Sequence, residues 1–192
     1  DAYKYYFQFT LTGYGKDMET NLPDKKGQLI PAFQELAGKI GKKRVIWRYD
    51  PIVFTKKYTP DYHIRAFTQI AEALDGCTEK CVISFVNIYA KNRKNMQVVD
   101  SYEMSHDDLE AFAKAIADIA RSHGMSMATC AEVVDLEKCG IEHNCCIDKK
   151  LIEDIIGCDI KVAKDKSQRP ECGCMESVEI GSYNTCLNGC KY

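Results

Sequence analysis

Residues 81–88 read Cys81-Val82-Ile83-Ser84-Phe85-Val86-Asn87-Ile88. The run is β-branched and aromatic, too short for a helix, and continuous enough to be buried on both faces. A strand of that kind belongs in a parallel sheet covered by helices, and its flanks agree. Upstream, Tyr62, Phe67, Ile70, Ala71 and Leu74 recur at helical spacing up to Gly76. Downstream, Ser105 caps a helix with Asp108 in its first turn, and Leu109, Phe112, Ala113, Ile116, Ile119 and Ala120 form its apolar stripe. Further out, residues 5–12 and 44–49 read as strands, the second closed by Asp50-Pro51. Between them lies a helix built on Leu29, Phe33, Leu36, Ala37 and Ile40. Residues 125–130 are a fourth strand, and Asp148 caps a short helix that Gly157 ends.

The order β-α-β-α-β-α-β plus a short helix predicts an α/β fold. Repeated βα units of this kind form a partial TIM-like (β/α) barrel, with a smaller open sheet as the alternative. Residues 1–163 make up this barrel-like domain. From about Asp165 the periodicity is lost, and residues 164–192 form a Cys-rich irregular tail held by ligands or a partner. The chain opens Asp1-Ala2-Tyr3 and enters a strand almost at once, which predicts an interior piece of a longer protein lacking both ends.

With 192 residues, 45% of them hydrophobic, the chain can bury a core without disulfides. A net charge of −2 gives no pull toward nucleic acid or anionic membrane. No apolar run approaches the ~18 residues that span a bilayer, and no basic-then-apolar signal opens the chain. The expectation is a cytoplasmic protein acting on a small molecule, with no nucleic-acid or membrane partner and monomeric by default. Cysteine is the abnormal count: eleven, crowded toward the C-terminus. An odd number without a signal argues against a secreted disulfide framework and for metal or iron–sulfur ligation.

Sites in parallel α/β folds lie at the C-terminal strand ends. Here those ends carry Thr10 and Thr12, Arg48 and Asp50, Asn87 and Tyr89, and Thr129, Cys130 and Glu132. Arg48 and Asp50 form either a fixed ion pair or a clamp for a carboxylate or phosphate. Glu132 is a candidate general base, or the acceptor for a ligand amine. Structurally, the same residues could simply neutralise each other and leave Glu132 solvated. Cys172-Gly173-Cys174 sets two thiolates close together, with a glycine that lets the backbone bend around a metal. Cys186-x-x-x-Cys190 adds a second pair, and such pairs suit zinc or an iron–sulfur cluster. Cys77, Cys139, Cys145 and Cys158 read as unrelated thiols, and Cys81 as a small apolar strand residue. His63, His106 and His123 fall near helix ends as structural residues, and His143, beside Cys145 and Cys146, is a further ligand candidate. No nucleophile elbow, Walker A loop or dinucleotide fingerprint is present.

The tail, with Glu171-Cys172-Gly173-Cys174-Met175-Glu176-Ser177 and Ile180 through Cys186-Leu187-Asn188-Gly189-Cys190-Lys191-Tyr192, resembles the C-terminus of an uncharacterised bacterial family. That family is the domain of unknown function numbered eighteen-forty-eight. Arg48-Tyr49-Asp50-Pro51, Val82-Ile83-Ser84-Phe85, Thr129-Cys130-Ala131-Glu132 and Cys146-Ile147-Asp148 fit its pattern too, so the resemblance spans nearly the whole chain. The family's C-terminal cysteines are similar to the cluster motif of radical SAM enzymes. The resemblance implies that Cys186 and Cys190 are two ligands of a [4Fe-4S] cluster, with a third directly after Tyr192, and that S-adenosylmethionine takes the open iron. The motif follows four βα units here, whereas radical SAM enzymes carry it near the start of their barrel. Cys130, Cys146, Cys172 and Cys174 match family positions outside the tail motif and imply a closed four-cysteine site for a second cluster or zinc. Glu132, Arg48 and Asp50 are then the catalytic candidates, and Asn87, Tyr183 and Asn184 the cofactor-binding ones. The expected function is an iron–sulfur protein acting as a radical SAM-like enzyme. The alternative is a non-catalytic zinc or iron–sulfur structural module.

Overall fold

The computed structural model describes residues 3–89, 92–169, 171–182 and 185–192. Five parallel strands form one sheet in sequential order. They are β1 (Phe7–Thr10), β2 (Val45–Ile52), β3 (Lys80–Phe85), β4 (Ser126–Cys130) and β5 (Ile141–Asn144). Strand order does not reverse, which separates the sheet from doubly wound ones. The helices are α1 (Ile30–Ile40), α2 (Pro60–Ala73), α3 (Arg93–Val98), α4 (His106–Ser122) and α5 (Lys149–Ile156).

Helix starts follow local chemistry. Thr59 caps α2 by accepting from the Tyr62 N–H, with Pro60 in the first turn. Ser105 does the same for Asp108 in α4, where Asp107 and Asp108 favour the positive helix end. Asp148 caps α5 through Leu151, and Gly157 ends it in the left-handed conformation.

One sheet face is packed by α1, α2 and α4. Trp47, Tyr49, Cys81, Ile83, Met127 and Ile141 meet Phe33, Phe67, Phe112 and Ile116 there. Trp47 and Phe67 stack at 4.6 Å and are both fully buried, each contributing about 2–3 kcal/mol of burial. Cys81 is a core residue, as its strand position predicts. His63 is buried in the same layer, its Nδ1 2.9 Å from the Tyr49 hydroxyl and its Nε2 3.2 Å from the Val53 carbonyl. Burial pulls its pKa down to about 4, so it is a neutral core residue rather than a cation at a helix end.

The opposite face carries Gln8, Arg48, Val82, Ala128 and Cys130, side by side through the parallel register. No described helix packs over it in the way α1, α2 and α4 cover the first face. The Tyr6 hydroxyl (2.5 Å) and Gln8 Nε2 (2.7 Å) both donate to the Cys146 carbonyl. A flat sheet would hold β1 and β5 about 19 Å apart. Cys146 lies only two residues past β5, so the sheet curls strongly toward this face.

Four elements depart from the sequence reading. β2 runs through Asp50 and Pro51 to Ile52, with a register irregularity after Tyr49. β3 stops at Phe85, and residues 86–89 continue as a loop. β5 and α3 are additional: Ile141-Glu142-His143-Asn144 has one large apolar residue, and only pairing with β4 makes it a strand. Residues 157–192 hold no helix or strand among the described residues, but an isolated bridge between Lys164 and Met175 folds the tail on itself, and one between Glu19 and Cys190 docks it on the first loop.

Candidate functional site

The C-terminal strand ends build a continuous polar line. Arg48 on β2 donates to both Asp50 oxygens, at 2.9 and 2.5 Å, a two-pronged pair with most of both side chains buried. The same guanidinium donates to Gln8 Oε1 on β1 and to Cys146 Sγ, the latter at 2.9 Å. Ser84 on β3 donates to Asp50 at 3.3 Å. Burial works against the charge of Arg48, but Asp50 and Cys146 outweigh it and raise its pKa, so it stays cationic. Arg48 is thus an ion pair with Asp50 and a countercharge for a thiolate at once.

The Cys130 and Cys146 sulfurs lie 2.9 Å apart. Cys130 ends β4 and Cys146 follows β5, so strand pairing alone brings them together. The Cys146 thiol hydrogen bond, assisted by Arg48, lowers the pKa of Cys130 to about 6 against the burial that opposes it. That of Cys146 is raised, first by Cys130 and then by burial. The pair gives up one proton readily and the second with difficulty.

Cys172 and Cys174 are buried and pack with Ala131 against Cys146 and Ile147. Cys174 Sγ accepts from the Ile147 N–H at 3.3 Å, and burial raises its pKa. The tail is fixed by backbone bonds from Met175 N–H to Ile147 O and from Asp165 N–H to Cys174 O. Gly173 has a spatial reason: a Cβ there would sit 2.5 Å from Cys145 Sγ. Four cysteines from three segments therefore converge on one end of the sheet.

Glu132 is not a solvated loop carboxylate. It is 7% exposed and accepts from the Phe85 N–H at 2.8 Å. Burial raises its pKa, partly offset by Phe85 and Arg169. Ala131, between Cys130 and Glu132, has φ +50°, a conformation that costs a non-glycine residue about 1–2 kcal/mol. That kink accompanies the turn of Glu132 toward β3. Thr129, by contrast, lies beside His143, 3.4 Å away, and apart from the cysteine line.

Cys190 and Cys186 form a separate group. Residues 187–191 dock on residues 18–21 through Asn21 N–H to Asn188 O and Lys191 N–H to Met18 O. Glu19, 2% exposed, accepts from Thr12 at 2.6 Å and from the Tyr192 hydroxyl at 2.5 Å, and pairs with Lys25. Glu19, Lys25 and Tyr192 carried no sequence signal, because a loop carboxylate reads as solvated until a tail covers it. Burial raises the pKa of Cys190, and the nearby Cys186 adds to the rise; Cys186 itself is exposed. Asn87 and Cys190 line one cavity of about 390 Å³ together with Ser84, Phe85 and Arg169. Tyr183 and Asn184 lie outside the described residues. A wider cavity of about 930 Å³ runs from Arg44, Glu79 and Ser126 at the N-terminal strand ends to Cys145 and Asp148 after β5, with α5 on its flank. His143 joins Asp135 and Glu137, all three exposed, instead of the cysteines.

Fold and site define a mixed α/β protein with a five-stranded parallel sheet whose C-terminal end gathers cysteines. The family described as a domain of unknown function, DUF1848, matches residues 1–192, and the chain belongs to it. No curated protein and no solved structure matches the chain. No described helix is long and apolar enough to cross a membrane.

Proposed function

We propose that the protein binds an iron–sulfur cluster through Cys130, Cys146, Cys172 and Cys174, at the mouth of a partial (β/α) barrel. The observation that carries this reading is the convergence of these thiols around Cys146, with a guanidinium and an amide N–H directed at their sulfurs. Thiolate ligands need such partners to offset their charge. The donor set fits soft metal chemistry. Ligands of one zinc would stand about 3.8 Å apart, given 2.3 Å bonds in a tetrahedron. Among the described residues, only Asp135, Glu137 and His143 bring three ligand atoms within 4.8 Å of one another. The cysteines stand as two close pairs, Cys130 with Cys146 and Cys172 with Cys174. Four thiolates suit a cluster or a zinc ion, and the cluster is preferred here on the resemblance of the tail.

Cys186 and Cys190 are the candidate open set, by resemblance to the radical SAM motif. When bound there, a [4Fe-4S] cluster with S-adenosylmethionine supplies one-electron and carbon-radical chemistry. The chain's own residues would bind and orient a small-molecule substrate beside Cys190: Asn87 at the cavity wall, with Asp50 and Glu132 behind it. Barrel membership is supported by the sequential parallel order and the curl of the sheet. Thiol ligation suits a reducing compartment such as the cytoplasm.

A structural metal that only orders the tail is the second reading. Its support is that the backbone bonds fixing the tail involve Cys174 and Ile147, beside the proposed ligands. The test is anaerobic purification with iron, sulfide and zinc counted, for wild type, Cys130→Ala and Cys172→Ser. About four iron and four sulfide per chain, lost in both variants, is the expected result. Zinc alone supports the second reading, and iron unchanged by both variants refutes the four-cysteine site.

A further inference from the structure

The cavity beside Cys190 has an uneven lining. Phe85, Tyr89 and Tyr192 give it apolar walls, and its charged lining residues are Arg169 and Lys191. Among the described residues, no aspartate or glutamate lines it. Three carboxylates stand behind its lining residues and each is already engaged. Glu19 pairs with Lys25 and accepts from the Tyr192 hydroxyl. Asp50 is held by both prongs of Arg48, and Glu132 lies behind Phe85 and accepts its N–H. Arg169 is held in place: its Nη1 donates to the Tyr89 hydroxyl at 2.9 Å, and its carbonyl accepts from the Cys172 N–H. That arrangement spans the mouth from the tail to the end of β3. A volume of about 390 Å³ is at the small end of ligand sites.

We infer that this cavity binds a small carboxylic acid with an apolar or aromatic body, its carboxylate on Arg169 and its body between Phe85, Tyr89 and Tyr192. A guanidinium fork matches a carboxylate in shape and charge. Among the described residues, the lining offers no glycine-rich loop to wrap a phosphate. The inference deepens the reading of the mouth as a substrate site and rests on that reading for its catalytic meaning. The binding itself needs no metal ligand other than the wall at Cys190.

The test is calorimetric titration of the metal-loaded protein with 3-phenylpropanoate and 4-methylpentanoate, and with the neutral amide of each. Iron is counted on the same samples. At least one acid should bind about tenfold or more tighter than its amide, a difference of about 1.4 kcal/mol. Arg169→Gln should erase that preference with the unfolding midpoint and iron content unchanged. Lys191→Gln should reduce it less. Equal binding of acids and amides, no binding of either acid, or a preference that survives Arg169→Gln overturns the inference. Iron loss with an intact acid preference would instead remove the cluster reading and leave the acid site standing.

Discussion

Arg48 is the residue on which the site turns, and its two roles separate in a double-mutant cycle. Arg48→Met leaves Asp50, among the described residues, with the Ser84 hydroxyl at 3.3 Å and removes the cation from the Cys130–Cys146 pair. Breaking a fully buried ion pair from one side costs about 3–5 kcal/mol. Here the side chains keep 15% and 12% exposure, so a loss of about 2–3 kcal/mol is expected. Asp50→Asn should cost less, because Gln8 and Cys146 still engage the guanidinium. The double variant no longer strands a carboxylate, so the coupling energy should exceed about 1.5 kcal/mol. Urea unfolding of the reduced, metal-free protein measures it. A second readout follows from the thiol. With a pKa of about 6, Cys130 is mostly thiolate at pH 7. Losing Arg48 moves it toward the ordinary value near 8.5, and its alkylation at pH 7, resolved by mass spectrometry, should slow by up to about 30-fold. The fall stays short of that limit because the larger cause, the Cys146 hydrogen bond, remains. Coupling below about 0.5 kcal/mol together with unchanged alkylation would refute the countercharge argument.

Other predictions concern the core and the docked tail. His63 has a native pKa near 4 against 6.5 in its ordinary state. Its neutral burial therefore stabilises fully above pH 6.5, and this contribution, about 3 kcal/mol at most, is lost as pH falls from 6.5 toward 4. Urea titrations at pH 7.5 and 4.5 should show that share of acid sensitivity missing from His63→Gln; identical pH slopes would contradict it. Tyr192→Phe removes a hydrogen bond to the buried Glu19 carboxylate and should cost about 1.5–3 kcal/mol locally. Hydrogen exchange at the Lys191 amide, bonded to Met18 O, should speed up accordingly, and unaltered exchange there would mean the tail docks without Glu19.

The sequence by itself determined the βα alternation and the layer it makes. The runs at 45–49 and 81–85, and the apolar stripes from Phe67 and Phe112, have one good burial partner each, so periodicity was enough. It also marked Arg48, Asp50 and the cysteines, because those residue types at strand ends or in an aperiodic tail are unusual wherever they sit. Tertiary structure decided the rest. β5 exists only because β4 offers its edge. Cys130 and Cys146 are sixteen residues apart, and their meeting depends on that pairing. Glu132 became a buried carboxylate through the kink at Ala131 and the Phe85 N–H. Glu19 and Tyr192, 173 residues apart, interact only because the tail lies across the first loop. Patterns of period two or 3.6 report which face of one element is buried. They carry no information about which distant loops share a site, since that is fixed by the curl of the sheet and by where the tail comes to rest.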